Sequence, residues 1–167
     1  MRKMQPFTVS VSSNVELFEF SWQWHHRRHY QAVFNAQNEI IPRHFAGLES
    51  WALIADWRRW LVQVPESERL CIRALRNFVT TGLSHYAILS DGHPVAKWQA
   101  NRVKNAVPEV QVEIFDDRDE SIQWLRTEGF DVQFRPLEFD QNWLYPSPIF
   151  SNILSELEVD KSLFAAV

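Results

Sequence analysis

The chain has 167 residues, of which 46% are hydrophobic and 23% are charged, a composition typical of one folded domain with its own core. Its net charge of -4 argues against a dedicated nucleic-acid binder, because such proteins carry a basic excess that neutralises phosphates. Cys71 is the only cysteine, which excludes an internal disulfide and any multi-cysteine metal site.

Segments that would direct the chain to a membrane are not evident in the sequence. No apolar run approaches the ~20 residues that span a bilayer. The first ten residues lack the apolar core of a signal peptide. We therefore expect a cytoplasmic protein without a transmembrane segment.

The first part of the chain predicts a β-hairpin followed by a helix. Residues 7–13 and 15–20 alternate apolar and polar side chains, which is the period of half-buried strands. Ser13 and Asn14 provide a tight turn between them. Residues 22–39 contain no proline or glycine, so they predict a helix.

The middle of the chain alternates strand and helix. The runs 51–55, 86–89 and 110–115 are apolar enough for buried strands. One helix is predicted to begin at Pro65 and to end at Gly82. A second begins near Pro94. A third follows the capping residue Asp117 and ends at Gly129.

The predicted order is β-β-α-β-α-β-α-β-α. It indicates a single α/β domain over residues 1–130, with a mixed, mostly parallel sheet of about five strands. Residues 131–167 contain prolines and no clear period. We expect them to form a C-terminal extension that packs on the domain or on a partner.

This order of elements resembles the STAS-like fold of anti-sigma-factor antagonists, and more closely the SpoIIAA-like proteins of bacteria. Three segments carry the resemblance: WALIADWRRW (51–60), SHYAILSDGHPVAKWQ (84–99) and VQVEIFDDRDESIQWL (110–125). The likeness covers roughly residues 7–128. It implies a non-catalytic module that binds a protein partner or self-associates as a homodimer.

The resemblance also offers one candidate modification site. Regulatory STAS domains place a phosphorylatable Ser or Thr in a turn after the central strand. The matching region here, residues 56–69, has Ser67 as its only hydroxyl residue and lacks the family's glycine. Ser67 is therefore the candidate phosphorylation site.

Aromatic and charged residues follow the predicted strands at their carboxyl ends, where open α/β sheets bind ligands. If the second and third strands run parallel, residues 22–28 and 56–60 leave the sheet at the same edge. Arginines bind carboxylate or phosphate, and tryptophans stack on flat groups. We therefore predict a crevice for a protein partner, or for a small anionic ligand or lipid headgroup, formed by Trp24, Arg27, Arg28, Asp56, Trp57, Arg58, Arg59, Trp60 and Asp91.

A simpler interpretation of this edge is structural. The arginines would neutralise the protein's own Asp56, Asp91, Asp116 and Asp117, and the tryptophans would cover the end of the core. In that case Asp91 and Asp117 cap the helices that they precede.

Metal binding and catalysis are not favoured by the sequence. His25 and His29 have the spacing of two metal ligands, but neighbouring arginines disfavour a cation, and helical phasing puts His26 and His29 at the core margin. No nucleophile, phosphate-loop or dinucleotide motif is present, so we expect no enzyme and no cofactor. The enzymatic alternative is a Mg²⁺-dependent, phosphate-handling site on Asp56, Asp91 and Asp116.

Overall fold

The computed structural model describes residues 7–20, 27–59 and 65–138. In chain order the elements are β1 (Phe7–Val11), β2 (Val15–Phe20), α1 (Arg27–Phe45), β3 (Trp51–Asp56), α2 (Pro65–Val79), β4 (Leu83–Leu89), α3 (Pro94–Ala106), β5 (Gln111–Phe115), α4 (Arg118–Thr127) and β6 (Arg135–Pro136). The α/β class and the mixed sheet are confirmed. Within the described residues the sheet has six strands, where about five were expected, because the short β6 joins it.

The strand order across the sheet is β5-β4-β3-β2-β1-β6. Strands β2 to β5 are mutually parallel, whereas β1 pairs antiparallel with both β2 and β6. Each of the three crossovers therefore moves the chain by one strand in the same direction. Crossovers of one hand put their helices on one face, and α1, α2 and α3 do pack into a single apolar cluster.

Aromatic side chains fill the core on this first face of the sheet. The Phe45 ring of α1 lies parallel to the Trp51 ring of β3, with centroids 4.7 Å apart. The indole N–H of Trp51 donates to the carbonyl oxygen of Thr81 at 3.1 Å. Phe7 and Phe18 stack across the β1–β2 pair with the same centroid separation, 4.7 Å. The hairpin and the crossover region thus share one continuous core.

The second face is covered by α4 and by the segment that follows it. Leu17, Ile54 and Leu89 are fully buried there, packed with Leu125 of α4 and with Phe130. The chain then runs across this face to the opposite edge of the sheet, where Arg135 of β6 pairs with β1. The described part of the predicted extension, residues 131–138, therefore packs on the domain.

Helix α1 extends beyond residue 39, where the sequence pattern placed its end. It continues through Pro42 to Phe45. An interior proline removes one helical hydrogen bond. Burial of Ile40, Ile41 and Phe45 against the sheet offsets that cost, since each of them is at most 4% exposed.

The loop before β4 depends on Gly82. Its φ angle is +98°, and a β-carbon at this position would lie 2.9 Å from the carbonyl oxygen of Leu48. The Gly82 carbonyl also accepts a hydrogen bond from the Trp51 backbone N–H at 3.0 Å. Gly47 has a similar φ of +79°, but a β-carbon there would meet no atom within 4 Å.

We predict that Gly82→Ala destabilises the protein considerably more than Gly47→Ala. The left-handed conformation alone costs an alanine about 1–2 kcal/mol at either position. At residue 82 the backbone must also shift to relieve the contact with Leu48. Chemical denaturation of both variants measures the difference, and equal losses would show that the close approach does not matter.

Candidate functional site

The second and third strands do end at the same edge of the sheet, as the predicted crevice requires. Residues of β2 pair in parallel with β3 from Val15↔Ala52 to Glu19↔Asp56, so both strands end together. Trp24 and Trp60 lie outside the described residues. Arg27 and Arg28 form the first turn of α1, and their side chains are not described either. The meeting of these four residues with 57–59 therefore stays a prediction.

At this edge Arg58 is bound by the protein's own aspartate. Its Nε and Nη2 atoms donate to the two carboxylate oxygens of Asp56 at 2.9 and 2.8 Å, and its backbone N–H donates to Asp56 at 3.0 Å. The hydrogen bonds to Asp56 raise the pKa of the Arg58 guanidinium. This pair agrees with the structural interpretation of the edge, because the Arg58 guanidinium already binds the carboxylate of Asp56 bidentately.

The other acidic residues of this edge have local partners as well. Asp117 caps α4 by accepting from the backbone N–H groups of Asp119 and Glu120. Asp116 pairs with Lys97 at 3.2 Å. Asp91 accepts from the backbone N–H of His93 at 3.0 Å, so it closes a turn before α3 and does not cap that helix itself.

The described residues offer no assembled metal centre. Across residues 7–20, 27–59 and 65–138, no group of three His, Cys, Asp or Glu side chains is arranged to hold an ion. The three aspartates of the magnesium alternative follow different strands and are engaged separately, as described above. Their position at one edge does not bring their oxygens together around a cation.

Trp57 points into the core, whereas the sequence placed it on the rim of the crevice. It is 8% exposed, and its indole N–H donates to the Tyr86 hydroxyl at 3.1 Å. The reason is the alternation of β3, because Leu53, Ala55 and Trp57 all belong to the cluster on the first face. The strand's period continues one residue beyond its end.

A cavity of about 60 Å³ lies beside Trp57, between α1, α2 and the sheet. Most of its wall is aliphatic or aromatic, and polar side chains enter it from three elements: Gln37 from α1, Ser67 and Cys71 from α2, and Tyr86 from β4. Burial raises the pKa of the Cys71 thiol to about 12, so the sulfur stays protonated and unreactive. Ser67, the predicted phosphorylation site, is only 5% exposed and faces inward.

Behind Gln37 lies the most unusual group of the core, the fully buried carboxyl of Glu16. Gln37 Nε2 donates to Glu16 Oε1 at 2.5 Å. Glu16 Oε2 and Gln37 Oε1 have no hydrogen-bond partner among the described residues. Burial raises the pKa of Glu16 to about 8, against the opposing effect of the Gln37 hydrogen bond. At neutral pH this group is therefore mainly an uncharged acid.

A second surface, on the outside of α2 and α3, was not predicted. Arg69, Arg73 and Arg76 are all exposed, and their spacing of four and three residues puts them on one stripe of α2. Beside this stripe α3 exposes Trp98, which is 56% accessible. The Arg102 guanidinium lies 4.8 Å from the centre of the Trp98 ring. We call these five residues the α2–α3 face.

Comparisons with known proteins leave the family open: no family model, curated protein or solved structure matches the chain. None of the helices in the described ranges is both long and apolar enough to cross a membrane.

We predict that Glu16 makes the protein less stable as pH rises. Its pKa is about 8 when folded and about 4.5 when exposed, so the folded state binds the extra proton between these values. This contribution is complete below about pH 4.5 and is lost as pH rises through 8, with a slope of about 1.4 kcal/mol per pH unit.

Glu16→Gln keeps the shape of the side chain and removes the titration. We expect it to raise the free energy of unfolding at pH 8 by about 2–4 kcal/mol relative to the parent, and by much less at pH 5. Urea denaturation across this pH range measures the difference. Exposed Glu109→Gln is the control, and parallel curves for parent and Glu16→Gln would refute the assignment.

Proposed function

We propose that the protein is a non-catalytic, STAS-like interaction module that binds an acidic protein partner through the α2–α3 face. The observation that carries this proposal is the stripe of exposed arginines beside an exposed tryptophan. The sequence resemblance supports it, because the resemblance implies a partner-binding module. The engaged aspartates at the strand ends also favour binding over a metal-dependent reaction.

The charge of the face differs from that of the whole chain. The chain carries -4 overall, yet three arginines follow one another on the outer stripe of α2. No described side chain forms an ion pair with Arg69 or Arg73, whereas Arg102 pairs with Glu68 at 2.8 Å. Arg69 and Arg73 are thus the two cations of the face best placed to bind carboxylates of a partner.

Trp98 supplies the apolar contact that the arginines lack. It is the most exposed large hydrophobic side chain of the described residues, and Val95, one turn earlier on α3, is 41% exposed. Tryptophan and arginine dominate the energetics of protein interfaces when a partner excludes water from them. Arg102 is held over the ring by Glu68, so the anchor is already ordered before binding.

A protein partner suits this face better than a nucleic acid. Nucleic-acid affinity comes from many phosphate contacts, and the net charge of -4 repels a polyanion at long range. An acidic protein needs only a few carboxylates and an apolar side chain to match. The alternative of a small anionic ligand at the strand ends is weaker. The Nε and Nη2 atoms of Arg58, which would bind such an anion, already donate to the carboxylate of Asp56.

We predict that the double variant R69E/R73E and the single variant Trp98→Ala each weaken partner binding at least about tenfold, as expected for central interface residues. The control is R126E/R135E, which changes the charge equally at exposed positions on α4 and β6. Partners captured with the full chain would be identified and titrated against all variants by calorimetry, at low and high salt.

The results separate the possible occupants of the face. An acidic partner whose affinity falls in R69E/R73E and Trp98→Ala, but not in the control, supports the proposal. Retained affinity in both variants would overturn it. Recovery of nucleic acid, or self-association in light scattering that these variants abolish, would replace the acidic partner with that occupant.

A further inference from the structure

We infer that the cavity between α1, α2 and the sheet binds a small uncharged molecule with an apolar body and a hydrogen-bonding group. This inference does not rest on the proposed function, because the cavity lies on the opposite side of α2 from the arginine stripe. It concerns residues that face the core.

The size and the walls of the cavity define the body of the ligand. Its volume is about 60 Å³. That is less than half of an engineered cavity of about 150 Å³ that takes up benzene, so the ligand has only a few non-hydrogen atoms. Most of the wall consists of apolar side chains, including Phe18, Leu53 and Phe78. A short aliphatic group matches such a wall.

Three side chains on this wall carry groups that can hydrogen-bond to a molecule in the cavity. Ser67 is 5% exposed, and it lines the cavity with a hydroxyl that both donates and accepts. The Tyr86 hydroxyl accepts from Trp57, which leaves its own hydrogen to donate. Gln37 donates an N–H group to Glu16, and its carbonyl oxygen has no partner in the part of the chain that the structure describes. Buried polar groups are almost always satisfied, so the unpartnered Gln37 oxygen beside the cavity indicates a hydrogen-bond donor bound there.

The described wall of the cavity favours an uncharged ligand. Among the described residues that line it there is no lysine, arginine, histidine, aspartate or glutamate. Glu16 lies behind the wall, where its carboxyl accepts from Gln37 and has a raised pKa of about 8. A carboxylate or ammonium group would enter without a counter-charge, at a large desolvation cost. An alcohol or a primary amide fits, because each both donates and accepts hydrogen bonds.

Water satisfies the polar side chains of the cavity but gains little from its apolar wall. A buried water molecule needs two to four polar partners around it. Here Gln37 comes from α1, Ser67 from α2 and Tyr86 from β4, with apolar side chains covering the rest of the wall. An apolar body that carries one polar group contacts both kinds of surface.

The test uses four probes of similar size and different charge. Ethanol and acetamide are neutral, whereas acetate and ethylammonium are charged. Binding to the full chain at pH 6.5 would be measured by saturation-transfer NMR and by titration of backbone amide shifts. We expect the neutral probes to bind and to shift amides of α1, α2 and β4, and the charged probes to bind at least about tenfold more weakly.

Two variants link this binding to the cavity. Ala74→Leu fills the space from α2, and Ser67→Ala keeps the space but removes a hydroxyl. We expect Ala74→Leu to abolish binding and Ser67→Ala to weaken it about three- to tenfold, in line with one lost hydrogen bond. Asn77→Leu adds the same side chain on the exposed side of α2 and is the matched control.

Some results would overturn the inference. They are no saturation transfer to either neutral probe, equal binding of neutral and charged probes, or binding that Ser67→Ala leaves unchanged. The Ser67→Ala result stands even if Ala74→Leu does not fold. Partner binding that fails in the R69E/R73E experiment does not affect these measurements, so the two proposals can fail separately.

Discussion

The path of the chain across the sheet is the constraint on which the rest of the structure depends. From β2 to β5 each strand is laid down beside the previous one, always in the same direction and always parallel. Crossovers of one hand then put three successive helices on one face. Helix α2 becomes the middle helix, so its inner side meets the sheet and the cavity while only its outer stripe meets solvent.

This path also explains why the second face needs a long return segment. Only α4 follows the last parallel strand, and it covers the sheet near β4 and β5. The chain from Phe130 to β6 must cover the remaining strands, and it does so with Phe130 and Val132 against Leu17 and Ile54. A segment without helical or strand period therefore contributes to the core as much as a regular element does.

The sequence predicted those parts of the fold that local patterns specify. Alternating and apolar runs located five strands, and the capping residue Asp117 located the start of α4. It did not predict β6, because two paired residues have no measurable period. It also ended α1 too early, since the burial of Phe45 that carries the helix past Pro42 depends on the sheet and not on local propensity.

The features of the candidate sites also divide into those that local sequence patterns specify and those that depend on tertiary packing. The structural interpretation of the sheet edge paired Asp56 with a nearby arginine, and Arg58 is that arginine. The inward direction of Trp57 follows from strand alternation and was available in the sequence. The burial of Glu16 was not, because β2 is covered on both faces and a glutamate in an alternating strand reads as a solvent-facing residue. The spacing of the arginines on α2 was also visible in the sequence. Their position beside Trp98 was not, because it depends on how the next crossover packs α3 against α2.

Helix α2 connects the two proposed sites. Ser67, Cys71 and Ala74 face the cavity, and Arg69 and Arg73 point away from it, one or two residues along the same helix. If a ligand in the cavity shifts α2, it changes the affinity of the α2–α3 face for its partner by some factor. Linkage then requires the partner to change the ligand's affinity by the same factor. If α2 does not move, both affinities are independent, so the coupling between the sites measures how rigidly α1 and the sheet hold this helix.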